Sequence, residues 1–421
     1  MNFFQVKDGE LYCEDVPLRR IADEVGTPVY VYSTATLQRH YTVFRQAFAQ
    51  REVLVAYAMK ANSNLSVLRT LAKLGAGADT VSEGEIRRAL AAGIQPSRIV
   101  FSGVGKSRRE LAFAVEVGVS EINLESEPEL DVLAEVAELL DAKPKVTIRV
   151  NPDVAAGGHA KISTGKSENK FGVSFSEAER LYAKAVASPH LDPIGVACHI
   201  GSQIDDLAPM AEAFAKMRGL VERLRGQGLP VERLDLGGGL GAPYFDAPDP
   251  PSPAEFADMV EQVMEGLDIE LVFEPGRVIA ANAGILLSRV IHVHERPEGR
   301  RFLVLDGAMN DLVRPAMYDA FHDIRPVSAP GPGANLSAYD VVGPVCETGD
   351  TFCRDRVLPP LAAGDLIAFM TAGAYGATMS SEYNTRPLVP EVLVDGDKYA
   401  VVRPRPTYEE ILAREPLAPW L

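Results

Sequence analysis

The chain is poor in cysteine, with 4 among 421 residues. So few thiols over such a length cannot form the disulfide framework that stabilises small secreted domains. Cys13 and Cys198 stand alone, and the seven-residue step from Cys346 to Cys353 is not a zinc-ligand spacing. Reduced thiols, no metal and a cytoplasmic location are therefore expected. Long apolar runs are also missing: none approaches the ~18 residues of a membrane span. The first residues, MNFFQVKDGELYCED, contain no basic region followed by an apolar stretch, so no signal peptide is visible. Basic residues are in deficit, with 42 Lys+Arg against 58 Asp+Glu and a net charge of −16. That balance argues against nucleic acid or an anionic membrane as partner, since both attract basic surfaces. A hydrophobic fraction of 47% excludes a disordered chain.

Short apolar, β-branched runs ending in small or polar residues are plentiful. Five begin at residues 53, 75, 98, 121 and 145, a repeat of 22 to 24 residues. Three more begin at Pro193, Arg233 and Glu270. Helix-like segments lie between the early ones: 64–74, 83–92, 108–117 and 127–140. Ser82 ahead of Glu83 and Glu85 reads as an N-cap with an acidic first turn. Such alternation predicts parallel βα units, and eight of them predict a (β/α)8 TIM-type barrel. An open dinucleotide-binding sheet would place its glycines after the first strand. Here the first strand ends in Lys60-Ala61-Asn62, and Gly237-Gly238-Gly239 follows the seventh.

Beyond the eighth strand the pattern changes. RFLVLDG, YDVVGPVCE, DLIAFMTAGA, PEVLVDGD and KYAVVRP are strand-like runs between Gly, Pro and Asp turns. They predict a mainly antiparallel β-domain, sandwich-like or barrel-like. The N-terminus reads as a hairpin turning at Asp8-Gly9. The expected division is a barrel over 28–282, with 1–27 joining 283–421 in the β-domain.

The ends of the barrel strands carry Lys60, Asp79, Ser102, Glu125, Asn151, His199, Gly237–Gly239 and Glu274. A barrel aims such residues at one mouth. Each alone has a plainer reading: an exposed lysine, a core histidine, a tight glycine turn, or a Glu274–Arg277 salt bridge. Together they suggest more. A lysine after an apolar strand is partly desolvated, which favours the nucleophilic amine and suits a Schiff base. Successive glycines let backbone amides approach an anion. A carboxylate can keep a pyridine nitrogen protonated. Lysine, phosphate cradle and acid point to pyridoxal 5'-phosphate.

The chain closely resembles the diaminopimelate decarboxylases, within the alanine-racemase-like, pyridoxal-dependent group. The resemblance runs over nearly the whole length. It is carried by Ala56-Tyr57-Ala58-Met59-Lys60-Ala61-Asn62, Ile162-Ser163-Thr164-Gly165 to Glu168-Asn169-Lys170-Phe171-Gly172, and Cys198-His199-Ile200-Gly201-Ser202. Asp235-Leu236-Gly237-Gly238-Gly239 and Glu274-Pro275-Gly276-Arg277 add to it. So do Met309-Asn310-Asp311-Leu312-Val313-Arg314-Pro315, Cys346-Glu347-Thr348-Gly349-Asp350 and Ala372-Gly373-Ala374-Tyr375-Gly376.

The resemblance implies that Lys60 holds the cofactor, that His199 stacks on its ring, and that Glu274 meets the pyridine nitrogen. It places Gly237, Gly238, Gly239, Ser202 and the Pro275-Gly276-Arg277 turn around the phosphate, Asp79 near the lysine, and Tyr375 against cofactor and substrate. It assigns the proton donor to Cys346. It also implies that Arg277, Arg314 and Tyr318 receive the distal carboxylate of meso-diaminopimelate, and Glu347 its distal ammonium. Pairing both charges penalises lysine and ornithine, which would leave an arginine unpaired. Related ornithine decarboxylases carry Cys-Asp at 346–347 and lack the arginine at 314. Related racemases pair the ring nitrogen with Arg rather than Glu. Family members form homodimers in which the Cys-Glu loop enters the neighbour's active site. The implied reaction is decarboxylation of meso-2,6-diaminoheptanedioate to L-lysine, the last step of lysine synthesis. Two departures stand out: Met59 where Val is commoner, and Gly157-Gly158-His159-Ala160 in place of a Thr-His-Pro run.

Overall fold

In a computed structural model, which describes residues 2–155, 169–246, 248–331 and 333–421, the eight expected strands close into a parallel barrel. They are Val53–Ala58, Gly77–Thr80, Ile99–Phe101, Glu121–Leu124, Lys145–Arg149, Asp192–Ala197, Arg233–Asp235 and Glu270–Phe273. The last pairs in parallel with the first, with Val272 opposite Leu54, which removes every free edge. Leu54, Ala56, Val100 and Val272 pack together inside. Serine caps start the helices: Ser82, Ser107, Ser126 and Ser174 each accept a backbone N–H from a glutamate three residues on. The carboxylates of those glutamates also favour the positive helix start.

The amino-terminal ends of the strands carry an ion network. Arg233 Nη1 lies 2.7 Å from Glu121, and its Nη2 lies 2.8 Å from Glu270. Burial raises the Glu121 pKa to about 7, against the pull of Arg233. All three residues open their strands, the face of such barrels where buried polar groups serve stability.

The chain forms two compact units. The barrel unit comprises 38–243 and 248–279, and the other comprises 1–37, 244–247 and 280–421. The second unit is built on a nine-stranded mixed sheet. Its long central strand, Gly284–Glu295, pairs antiparallel with Arg301–Leu305, Leu366–Phe369 and Val29–Ser33. Glu391–Asp395 then adds in parallel to Val29–Ser33. Val29, Val31, Ile285, Leu287, Val392 and Val394 present one continuous apolar face. The N-terminal hairpin turns at Asp8 and Gly9, with φ of 50° and 79°, and pairs Lys7 with Glu10. Positive φ at both turn residues matches the strand twist, hence Asp-Gly.

The sequence reading started the barrel at residue 28, but Val29–Ser33 hydrogen-bonds into the sheet of the second unit. All five of its residues are buried. Most of the 162–172 motif, with His159 and the 157–160 run, lies outside the described residues. No helix among the described residues is long and apolar enough to cross a membrane.

Candidate active site

Lys60 sits in the turn after the first barrel strand, where Val53–Ala58 ends. Its Nζ lies 2.8 Å from Asp79 Oδ2, at the end of the neighbouring strand. The Asp79 side chain is fully buried and the lysine side chain is 38% exposed, so the amine reaches open space from a buried anion.

A second set of acids lies close enough to Asp79 to feel its charge. Asp235 ends the seventh strand and Glu274 follows the eighth, with relative exposures of 1% and 7%. Ser102 Oγ donates to Glu274 Oε1 at 3.4 Å. Asn123 Nδ2 donates to Ser102 Oγ at 3.0 Å and to Asp235 Oδ2 at 3.3 Å. Desolvation raises the Glu274 pKa well above the carboxylate range, and Asp235 and Asp79 raise it further. Desolvation lifts Asp235 to about 6, against the opposing Gly237 amide. Two such carboxyls side by side cannot both be charged at little cost, which favours a proton shared by the pair.

The glycine run differs from the simple cradle expected of it. The Gly237 amide donates to Asp235 Oδ1 at 2.8 Å, and the Gly238 amide donates to His199 Nδ1 at 3.1 Å. Two of the three amides thus orient protein groups rather than point at an anion. Gly237 has φ +67°, and a Cβ there would stand 2.5 Å from the Cys198 carbonyl. At Gly238 a Cβ would stand 2.2 Å from the Glu274 carbonyl. Both positions exclude any side chain. The Gly238 bond also fixes His199: Nδ1 holds the lone pair, and Nε2 carries the hydrogen. Desolvation lowers the His199 pKa well below its usual value, and the Lys60 and Arg149 cations lower it further. The imidazole is therefore neutral.

Arg277 opens a short helix after Glu274-Pro275-Gly276 and donates to Ser202 Oγ twice, at 3.1 and 3.0 Å. Ser202 and the 274–277 turn are thereby linked. A network unassigned in the sequence supports the rim. Glu125 holds Arg149 at 2.9 Å and accepts the Gly103 and Gly172 amides. The buried Lys106 ammonium meets Glu129 and the Gly103 and Asn123 carbonyls. Glu125 already stood at a strand end in the sequence, without its partners; Asp235 was not singled out there, although it ends the seventh strand.

The remaining candidates belong to the second unit. Cys346 and Glu347 are exposed on a loop. That loop is tied at its base by Asp350, whose carboxylate accepts the Val345 and Met309 amides, each at 2.7 Å. Cys346 Sγ donates to Asn384 Oδ1 at 3.8 Å, and the Tyr383 hydroxyl donates to Glu347 Oε2 at 3.3 Å. Asn384 and Thr385 both have positive φ, 55° and 56°. Strain of that kind collects at functional segments. Neither Tyr383 nor Asn384 was singled out in the sequence, although Asn before Thr-Arg-Pro is a turn signal. Arg314 and Tyr318 bound one short helix, with Arg314 buried and Tyr318 half-buried. Tyr375, also half-buried, has φ 57°.

Residues 34–281 match the family described as pyridoxal-dependent decarboxylase, pyridoxal binding domain. A diaminopimelate decarboxylase of Pseudomonas aeruginosa is 50% identical over 419 residues, covering 100% of both chains. That of Zymomonas mobilis is 48% identical over 422 residues, covering 99% of each. Among solved structures, the diaminopimelate decarboxylase of M. jannaschii in complex with L-lysine superposes with a TM-score of 0.94. It is 35% identical and covers 99% of this chain and 98% of its own. The Helicobacter pylori enzyme, also complexed with L-lysine, gives 0.90 at 41% identity, covering 94% and 98%. By sequence over its full length and by fold, the chain belongs to the diaminopimelate decarboxylase family of pyridoxal-dependent decarboxylases.

Proposed function

We infer that the chain decarboxylates meso-2,6-diaminoheptanedioate to L-lysine and carbon dioxide, using pyridoxal 5'-phosphate. The observation that carries the reading is the Lys60–Asp79 pair at a barrel mouth that also buries Glu274, whose pKa desolvation raises. These residues fit the cofactor. The Gly237–Gly239 turn packs against the Cys198, Glu274 and Gly201 carbonyls too closely for any side chain, which holds the backbone of the turn in place. Burial and the neighbouring acids push Glu274 towards its protonated form, against the pull of Lys60 and Arg149, which suits it to share a proton with a basic ring nitrogen. His199, neutral and held by the Gly238 amide, offers a flat face without a competing charge.

When bound, pyridoxal phosphate supplies an electron-withdrawing ring that accepts the electron pair left by a departing carboxylate. Lys60 supplies the amine that holds the cofactor until a substrate amine takes its place, and Asp79 keeps that amine oriented. Cys346 supplies the proton to the carbon that lost its carboxylate. Arg314 and Tyr318, with Arg277, receive the distal carboxylate, Glu347 the distal ammonium, and Tyr375 the cofactor and substrate. A homodimer with shared active sites and a cytoplasmic location belong to the same proposal.

Purified protein loaded with pyridoxal phosphate should release L-lysine and one equivalent of carbon dioxide from meso-diaminopimelate. L-ornithine and L-lysine should turn over at least about 100-fold less efficiently, because each leaves a buried charge unpaired. Equal efficiency on ornithine would move the reading to the ornithine branch of the same fold. Gly238→Ala should weaken cofactor binding and lower the melting temperature, since overpacking costs about 1–3 kcal/mol. A variant that melts and loads like the parent would show that the turn yields more than its contacts suggest.

A further inference from the structure

We propose that His322 is a positioning residue for Arg314. It accepts a hydrogen bond from the guanidinium and fixes its plane, and so sets the preference for ligands with a carboxylate at the far end. The proposal rests on the reading of Arg314 as the group that meets that carboxylate.

His322 and Arg314 are both buried, at 4% and 7% exposure. Arg314 Nη1 lies 3.0 Å from His322 Nε2. A guanidinium only donates, so Nε2 must carry the lone pair. On the other side of the ring, Nδ1 lies 2.9 Å from the Met370 carbonyl. A carbonyl only accepts, so Nδ1 must carry the hydrogen. The two contacts together select one neutral tautomer, because a protonated ring would turn an N–H against the arginine.

The ring is anchored from several directions. The Met370 amide donates to the Asp323 carbonyl at 2.8 Å, so residues 322 and 323 both bind the end of the Leu366–Phe369 strand. Arg356 donates to the His322 carbonyl at 3.2 Å. Tyr244 completes the arrangement. Its ring stands edge-on to the imidazole, 5.8 Å between centroids at 84°, and the Arg314 guanidinium lies 4.8 Å from its centre. Arg314 thus meets, among its contacts, an aromatic face and a lone pair, and neither of these two brings a negative charge. A carboxylate in the place of His322 would orient the guanidinium equally well but would compete with the ligand for its charge. A neutral acceptor orients without neutralising. A planar fork fixed at one nitrogen keeps its other donors in a set direction, which a bidentate carboxylate contact requires.

The test uses the pyridoxal-loaded enzyme, its cofactor content checked by absorbance, and two competitive inhibitors. L-Lysine carries the carboxylate, and cadaverine is the same chain without it. His322→Asn retains a donor for the Met370 carbonyl but is too short to accept from Arg314. It should raise KM for meso-diaminopimelate about tenfold or more with little change in kcat. It should weaken lysine inhibition in parallel and leave cadaverine inhibition unchanged. His322→Gln, whose amide oxygen reaches the Nε2 position, should restore most of the lysine affinity. Equal loss of lysine and cadaverine inhibition, a fall in kcat at constant KM, or identical behaviour of the Asn and Gln variants would each overturn the proposal. Arg314→Met separates the two readings. If it leaves the lysine-to-cadaverine ratio unchanged, the carboxylate role of Arg314 fails, and that of His322 fails with it. If it collapses the ratio while His322→Asn does not, only the positioning role fails.

Discussion

Lys60→Ala should remove both the turnover and the visible absorbance of the lysine-bound cofactor. The two losses have one cause. The Lys60 amine is the only nucleophile the reading assigns to the cofactor, and it stands 2.8 Å from Asp79. Without it the cofactor is held only by contacts such as those at 202, 237–239 and 274–277. Turnover should fall on the order of 10^3-fold or more, at the upper end of what a single proton-transferring or nucleophilic group contributes. The variant should still fold, since Lys60 is part-exposed and lies in a turn rather than in the barrel core. Asp79 would then be a buried carboxylate without its cation, and a modest drop in melting temperature should follow. An unchanged visible spectrum in Lys60→Ala would remove the assignment outright.

Cys346→Ala should load cofactor and bind substrate normally but turn over about 10^2- to 10^4-fold more slowly, the range for loss of a general acid. The loss should appear in kcat with KM little changed, because the thiol acts on the carbon after the carboxylate has left. A rate equal to the parent would move the proton donor to Lys60 or to water. The two variants also test the shared site. If Lys60 of one protomer works with Cys346 of another, a mixture of the two inactive variants regains activity on subunit exchange. Random pairing yields about a quarter of the parent rate, since half the dimers are mixed and each of those has one intact site. A mixture that stays inactive would confine each site to one chain.

The barrel was legible because strand and helix alternate at a near-constant interval and polar residues cluster at one end of every strand. Lys60, Asp79, His199 and Glu274 could be placed at the mouth for that reason. What was not legible depends on direction rather than identity. The order Asp-Leu-Gly-Gly-Gly does not reveal that the Gly237 amide turns to Asp235 and the Gly238 amide to His199, since that follows from φ at each glycine. The boundary drawn at residue 28 put Val29–Ser33 with the barrel, whereas its pairing partners lie at 284–295 and 391–395, far along the chain. His322 gave no signal, because its meaning lies in a carbonyl 48 residues away.

The position of Val29–Ser33 has a consequence for how the molecule is made. It pairs with Gly284–Glu295 on one side and Glu391–Asp395 on the other. A ribosome adding about 5–20 residues per second emits the last of these roughly 20 to 70 s after the first. Until residues 284–295 emerge both edges of Val29–Ser33 are open, and one stays open until 391–395 follow, the kind of segment that recruits unwanted neighbours. The barrel residues emerge in the meantime and meet their own partners in order. Assembly of the second unit is therefore a late event, and a chain truncated near residue 390 should leave Val29–Ser33 paired with Gly284–Glu295 on one side and open on the other.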